Sequence, residues 1–240
     1  MSAAANPWWY HTIELAPGEV TPGMIDLRGV AGKVLPDDLG GRRALDVGTF
    51  DGFWAFELEK RGAREVVATD VAALHDAEWP PHRREALREE AERLGVELGR
   101  GFAIASSALG SRVRRVECDV RELTPDAIGG RVDVAFCGAL LLHLRDPVGG
   151  LERLRGVLSP GGALLVLEPV AVRETLLAPR RAVARFEPHY ATFNWWVANV
   201  AALRAWLRVA GFASVRLRGF HRPPAQGGMR TWHAALEARA

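Results

Sequence analysis

Residues 44–58 read Ala44-Leu45-Asp46-Val47-Gly48-Thr49-Phe50-Asp51-Gly52-Phe53-Trp54-Ala55-Phe56-Glu57-Leu58, and this stretch decides the fold. Ala44, Leu45 and Val47 make a short apolar strand, and Gly48 to Gly52 make a glycine-bounded turn. From Phe53 an amphipathic helix begins, whose first amides have no partners within the helix and so face whatever lies over the turn. Downstream, Glu65-Val66-Val67-Ala68-Thr69 reads as a second strand ending in Asp70. An acid at that point can accept hydrogen bonds from both hydroxyls of a ribose.

The glycine pattern separates two cofactor classes. Dinucleotide sites want G-x-G-x-x-G, whose glycines let backbone approach a pyrophosphate. Here Phe50 stands where a middle glycine would, and Asp51 puts a carboxylate in the loop that would repel a pyrophosphate. The same carboxylate suits a cofactor carrying an ammonium and a sulfonium, as S-adenosyl-L-methionine does. At Asp46, Gly48 and Gly52 the chain resembles the class I S-adenosylmethionine-dependent methyltransferases, whose first motif is an acidic residue followed by G-x-G-x-G. The resemblance implies a cofactor cradle of Asp46, Gly48, Thr49, Asp51, Gly52, Phe53, Asp70 and Val71. It adds Asp119 and Val120 toward the adenine, and Cys137 and Gly138 at the fourth strand.

The order of elements supports that reading. Val113 to Cys118, Val132 to Cys137 and Gly162 to Glu168 are further short apolar or β-rich runs, as buried parallel strands should be. Between the last two lies an amphipathic segment, Val148 to Leu158, closed by Ser159-Pro160-Gly161-Gly162. With Ala213 to Leu217 and Thr231 to Leu236 as terminal strands, the expectation is an α/β, Rossmann-like, doubly wound seven-stranded sheet. Residues 1–40 read as an aromatic leader that caps the site, and 41–240 as the catalytic domain. Within it, residues 80–110 form a helical insertion, and about 169–197 an aromatic, proline-broken lid before a helix from Asn199 to Ala210.

Composition bounds the function. With 48% apolar and 25% charged residues, the chain has the make-up of an ordinary globular protein. No apolar run is long enough to span a bilayer and no basic-then-apolar leader precedes it, so a cytoplasmic protein is expected. The net charge is +2, with 31 cationic residues of which only Lys33 and Lys60 are lysines. They are interleaved with acids, as in Arg83 to Arg93, which reads as a solvated helix rather than a nucleic-acid surface. The densest basic run, between Arg173 and Arg185, reads likewise as a solvated face. Cys118 and Cys137 near the ends of successive strands read as inert thiols. Carboxylates and histidines show no metal-site spacing, so no metal is expected.

Longer matches narrow the branch. Trp9-Tyr10-His11-Thr12-Ile13-Glu14-Leu15, Asp51-Gly52-Phe53, Leu142-His143-Leu144-Arg145-Asp146-Pro147 and Asn194-Trp195-Trp196 resemble a branch related to the tRNA wobble-uridine carboxymethyltransferases. Those enzymes carry a longer N-terminal region with a lysine that helps hold a carboxylated cofactor, and a Tyr where this chain has Leu142. Arg230-Thr231-Trp232 matches their tail. The departures favour ordinary S-adenosylmethionine and a small-molecule acceptor, with tRNA modification or a non-catalytic cofactor-binding module as alternatives. A monomer or homodimer in specialised metabolism is the expected setting.

If the fold holds, the acceptor enters above the C-terminal strand ends. Trp8, Trp9, Tyr10, His189, Asn194 and Trp195 are then the expected acceptor wall, which favours a flat or apolar molecule bound by stacking. His143 is the first candidate for a base, followed by His11, with Tyr190 to orient. Glu168, at the end of the fifth strand, either touches substrate or caps the next segment.

Overall fold

The computed structural model describes residues 2–187, 194–228 and 231–240. In chain order the elements are β1 (Glu14–Ala16), β2 (Glu19–Val20), α1 (Arg28–Val34), β3 (Arg43–Val47), α2 (Phe53–Lys60) and β4 (Glu65–Asp70). Then come α3 (Arg84–Leu94), α4 (Arg100–Leu109), β5 (Arg114–Glu117), α5 (Pro125–Ile128), β6 (Val132–Gly138), α6 (Pro147–Gly156) and β7 (Leu158–Pro169). The remainder is α7 (Val172–Leu177), β8 (Ala184–Phe186), β9 (Trp196–Ala198), α8 (Val200–Val209), β10 (Ser214–His221) and β11 (His233–Arg239).

Seven strands form one sheet in the order β10-β11-β7-β6-β3-β4-β5. Only β11 runs against the others, pairing antiparallel with both β10 and β7. The chain leaves β3 toward β4 and β5, then returns to place β6 on the other flank of β3. That reversal is the topological switch, and it opens a crevice at the C-terminal ends of β3 and β6.

Side-chain alternation along β3 divides the core in two. Leu45 and Val47 face a cluster with Leu151 and Leu154 of α6 and Leu203 and Leu207 of α8. Ala44 faces the other cluster, built from α1, α2, α4 and the leader residues Trp9, Ile13 and Leu15. The leader is therefore stitched to the sheet by burial. The β1–β2 hairpin adds Thr21 Oγ1, which donates to His11 O at 2.7 Å and accepts from Ile13 N at 2.8 Å.

Two local expectations change. Ser159 to Gly162 does not simply close α6: the helix ends at Gly156, and these residues bulge within β7, where the register jumps from Val132↔Leu158 to Val134↔Ala163. Cys118 and Cys137 follow one another along the chain but not in the sheet, since β3 and β4 lie between their strands. Both are free thiols, and Cys137 is fully buried. The insertion at 80–110 resolves into two helices, α3 and α4, and Asn199 caps α8 by accepting from Ala202 N at 2.8 Å.

Candidate active site

The turn between β3 and α2 is held by three acids. Asp46, buried at the end of β3, accepts from Thr49 Oγ1 at 2.7 Å and from Ala55 N at 3.1 Å, so it shapes the turn and caps α2 together. Gly48 and Thr49 donate their amides to Thr69 O on β4 at 2.9 and 3.1 Å. Gly52 has φ 93°, and a Cβ there would sit 2.6 Å from the Phe56 ring and 2.7 Å from Phe102, so only glycine fits.

Phe50 has φ 49°, the left-handed conformation of the glycine it replaces. This costs on the order of 1–3 kcal/mol for a bulky residue. Packing offsets it, because the Phe50 ring meets Trp8 at 5.6 Å and Tyr10 at 5.2 Å, both from the leader. Asp51 completes the clasp: its Oδ2 accepts from Tyr10 N at 2.7 Å and His11 N at 2.9 Å. The acid expected to face the cofactor's charge thus also anchors the leader over the turn. Asp70 accepts from Phe50 N and Val71 N, both at 2.8 Å, with one carboxylate oxygen each. A carboxylate has about four lone-pair sites, so capacity for ribose hydroxyls remains.

Glu168, 1% exposed at the end of β7, reaches across to the turn after β6 and accepts from Leu140 N at 2.7 Å and Leu141 N at 2.9 Å. It caps the turn that carries His143, and the backbone is strained there too, with Ala139 at φ 48°. Capping is seen, but of the Leu140–Leu141 turn across from it and not of the segment after Glu168 that the sequence suggested.

These carboxylates share one electrostatic signature. Burial pushes Asp46 up to about 7, against the hydrogen bonds of Thr49 and Ala55. Burial likewise pushes Asp51 to about 6, against the amides of His11 and Tyr10, and Glu168 to about 7. Asp70 is raised for the same reason, with Arg115 opposing. Tyr10 is pushed up to about 12 by burial and by the nearby charges of Glu168 and Asp51. Carboxylates desolvated in this way are short of a cation.

The other expected positions divide. His11 is buried, its Nδ1 has no hydrogen-bond partner among the described residues, and burial drives its pKa down to about 3, which makes it a weak base. Trp9, expected in the acceptor wall, is core instead: it is fully buried and its indole donates to Ala3 O at 2.9 Å. Trp8 and Tyr10 are half-buried beside the turn. Trp195 is buried and donates from its indole to Glu78 O at 2.6 Å, so its ring is packed rather than standing open. Asn194 is half-buried, while His189 and Tyr190 lie outside the described residues.

Beside β5, Asp119 is not an open acceptor for adenine. Arg121 forks it, with Nε at 2.9 Å from Oδ1 and Nη2 on Oδ2. Val120 is core and the Cys137 side chain faces the core, leaving only backbone at those two positions for a ligand; Val71 and Gly138 are half-buried.

A second constellation was missed by sequence reasoning. Arg121 also meets Glu78 Oε1 at 3.3 Å and Asp76 O at 3.3 Å. Glu78 Oε2 accepts from Arg145 N at 2.9 Å, and the Arg145 guanidinium lies 5.5 Å over the Trp195 ring. This hub joins the loops after β4, β5 and β6 to the lid. Its partners are far apart in sequence, so no local pattern announces them. Among the described residues no cluster of metal-ligating side chains occurs, and no helix is long and apolar enough to cross a membrane.

A doubly wound sheet with one reversed strand, a glycine turn at its switch point and a ring of cation-seeking carboxylates defines a class I S-adenosylmethionine-dependent methyltransferase. S-adenosylmethionine fits the donor set present: Asp70 for ribose hydroxyls, and acids for a molecule bearing a sulfonium and an ammonium. The chain matches the family model described as methyltransferase domain over residues 27–217, and it belongs to that family. It is 32% identical over 184 residues to the tRNA U34 carboxymethyltransferase of Azotobacter vinelandii, covering 75% of this chain and 48% of the relative. The chain thus spans about half the length of the curated relatives it matches. An S-adenosylmethionine-dependent methyltransferase from Mesorhizobium loti superposes with TM-score 0.55 at 16% identity, covering 89% of this chain and 97% of the other. The 1,6-didemethyltoxoflavin-N1-methyltransferase of Burkholderia thailandensis, with bound 1,6-didemethyltoxoflavin and S-adenosylhomocysteine, gives 0.51 at 19% identity, covering 89% and 81%. Likeness at such identities is one of fold.

Proposed function

We propose that this methyltransferase acts on an oxygen or nitrogen of a small, flat acceptor. The observation that carries the reading is the aromatic rim over the cofactor turn, where Trp8, Tyr10 and Phe50 pack at centroid distances of 5.2–6.2 Å. Trp8 and Tyr10 keep part of their surface open, which suits stacking on a ring.

S-adenosylmethionine supplies an electrophilic methyl group on a sulfonium. The chain supplies alignment and a dry site, which are the main requirements of an in-line displacement. Asp46 and Thr49 fix the turn, Asp70 takes the ribose hydroxyls, and Glu168 holds the turn that presents His143. His143 is the group we assign to the acceptor proton, ahead of His11, whose buried imidazole is too weak a base at neutral pH.

The second reading, modification of a tRNA, draws on the 32% identity to a U34 carboxymethyltransferase. The acid ring argues against a donor with an added carboxylate, because Asp51 and Glu168 are buried and held by backbone amides rather than by a cation. The deciding experiment measures S-adenosylhomocysteine release with a panel of phenols, aryl amines and heteroaromatic amines against unmodified tRNA. Turnover with ring acceptors that falls in His143→Ala, with cofactor binding kept, is expected. Turnover with tRNA alone would overturn the small-acceptor reading.

A further inference from the structure

On the same sheet edge, at the β10 and β11 side, lies a pocket of opposite character. A cavity of about 280 Å³ is lined by Lys33 of α1, by Phe220, His221 and Arg222 at the end of β10, by Pro223 and Pro224, and by Trp232 before β11. Three strands, β11, β7 and β6, lie between β10 and β3, the strand that leads into the cofactor turn, and the leader links the two regions, with Ile25 N, next to Asp26 in the pocket wall, donating to Tyr10 O at 3.0 Å.

The pocket is positive and flat-walled. Lys33, one of only two lysines in the chain, and Arg222 both line it. Asp26 also lines the cavity, and its carboxylate is forked by Arg28, with Nε at 2.9 Å and Nη2 at 2.7 Å. Arg222 lies 5.7 Å over the Trp232 ring. Trp232 and Phe220 remain 40% and 44% exposed, the kind of surface chains normally cover. His221 Nε2 is buried without a hydrogen-bond partner among the described residues, and burial together with the Lys33 charge lowers the imidazole pKa.

The frame is rigid. Asp26 N donates to Pro224 O at 2.9 Å, Gln226 N to Met24 O at 2.9 Å, and Gln226 Nε2 to Pro22 O at 2.9 Å. Val170 N donates to Trp232 O at 2.9 Å, fixing the aromatic wall to the end of β7. Such a pocket is formed before any ligand arrives.

We infer that this cavity is a second binding site, separate from the methyl-transfer site, for an anion carried on a flat ring, such as an aryl phosphate or aryl carboxylate. The ring lies against Trp232 and the prolines, and the anion lies between Lys33 and Arg222. The cofactor cradle, which is acidic, repels the same ligand.

Calorimetric titration of phenyl phosphate into the S-adenosylhomocysteine-loaded protein tests the assignment, with inorganic phosphate and benzyl alcohol as arms lacking the ring or the charge. Saturable one-to-one binding of phenyl phosphate is expected, weakened at least tenfold in Lys33→Glu and at least fivefold in Trp232→Ala. Both variants should bind S-adenosylhomocysteine as the parent does, which reports an intact fold. Absence of saturable binding, or binding that both variants leave unchanged, overturns the site. Equal affinity for inorganic phosphate overturns the role of the ring.

Discussion

The carboxylates of the cofactor cradle and those of the lid hub sit on one sheet edge but live in different electrostatic worlds. Asp46, Asp51, Asp70 and Glu168 are held chiefly by backbone amides in a dry interior, and burial raises all four. Asp119 and Glu78 share Arg121 on half-open ground, so each already faces a cation. Amides position a carboxylate without neutralising it, whereas a guanidinium does both. The cradle is therefore organised and short of a cation, the condition in which a sulfonium-bearing cofactor gains most.

That contrast can be broken most severely at Glu168. Glu168→Ala strips two buried amides of their acceptor, and a loss of about 2–4 kcal/mol in urea unfolding is expected. Glu168→Gln keeps an accepting oxygen, and most of the stability should return. Next comes Asp70→Ala, which should weaken S-adenosylhomocysteine binding by about 1.5–3 kcal/mol in calorimetric titration. Unchanged affinity would remove Asp70 from the cofactor site.

A pH series sharpens the same comparison. Because the folded carboxylates are raised, their contribution to apo stability is fully present below the ordinary carboxylate range and is lost as pH climbs to about 7. A cationic ligand reverses the trend by favouring the ionised forms. The affinity ratio of S-adenosylmethionine to S-adenosylhomocysteine, which differ by the sulfonium charge, should therefore rise between pH 5.5 and 8. A flat ratio would show that the acids do not feel that charge. The smallest effect belongs to the hub: Arg121→Ala, at a partly exposed pair, should cost about 1 kcal/mol or less in thermal unfolding. The same variant should raise the acceptor KM while leaving kcat near its parent value.

The two regions were also unequally legible. The turn from Gly48 to Gly52, its flanking strand and helix and Asp70 could be read locally, since glycine spacing and hydrophobic alternation are properties of neighbours. Glu168 was visible as an acid at a strand end, but its partners lie across the sheet, so capping could not be told from substrate contact. Trp9 looked like wall because aromatic residues cluster beside it, and only the tertiary fold turned its ring inward. Glu78 and Arg121 gave no signal, and Arg145 was visible only inside the Leu142 to Pro147 match, since charged residues in loops have the same appearance whether solvated or joined. The exchange of Asp119 from ligand to ion pair has the same cause: Arg121 is two residues away, but its reach is settled by the loop that carries Glu78.

Phe50 has a kinetic consequence. A glycine would let the cofactor turn settle as soon as β3 and α2 meet, a local event. With Phe50 at φ 49°, the turn is strained until Trp8 and Tyr10, some forty positions upstream, close over its ring. Closing a loop of that length carries an entropy cost that a local glycine turn would not. During refolding the ability to bind cofactor should therefore lag behind formation of α2 until the leader docks.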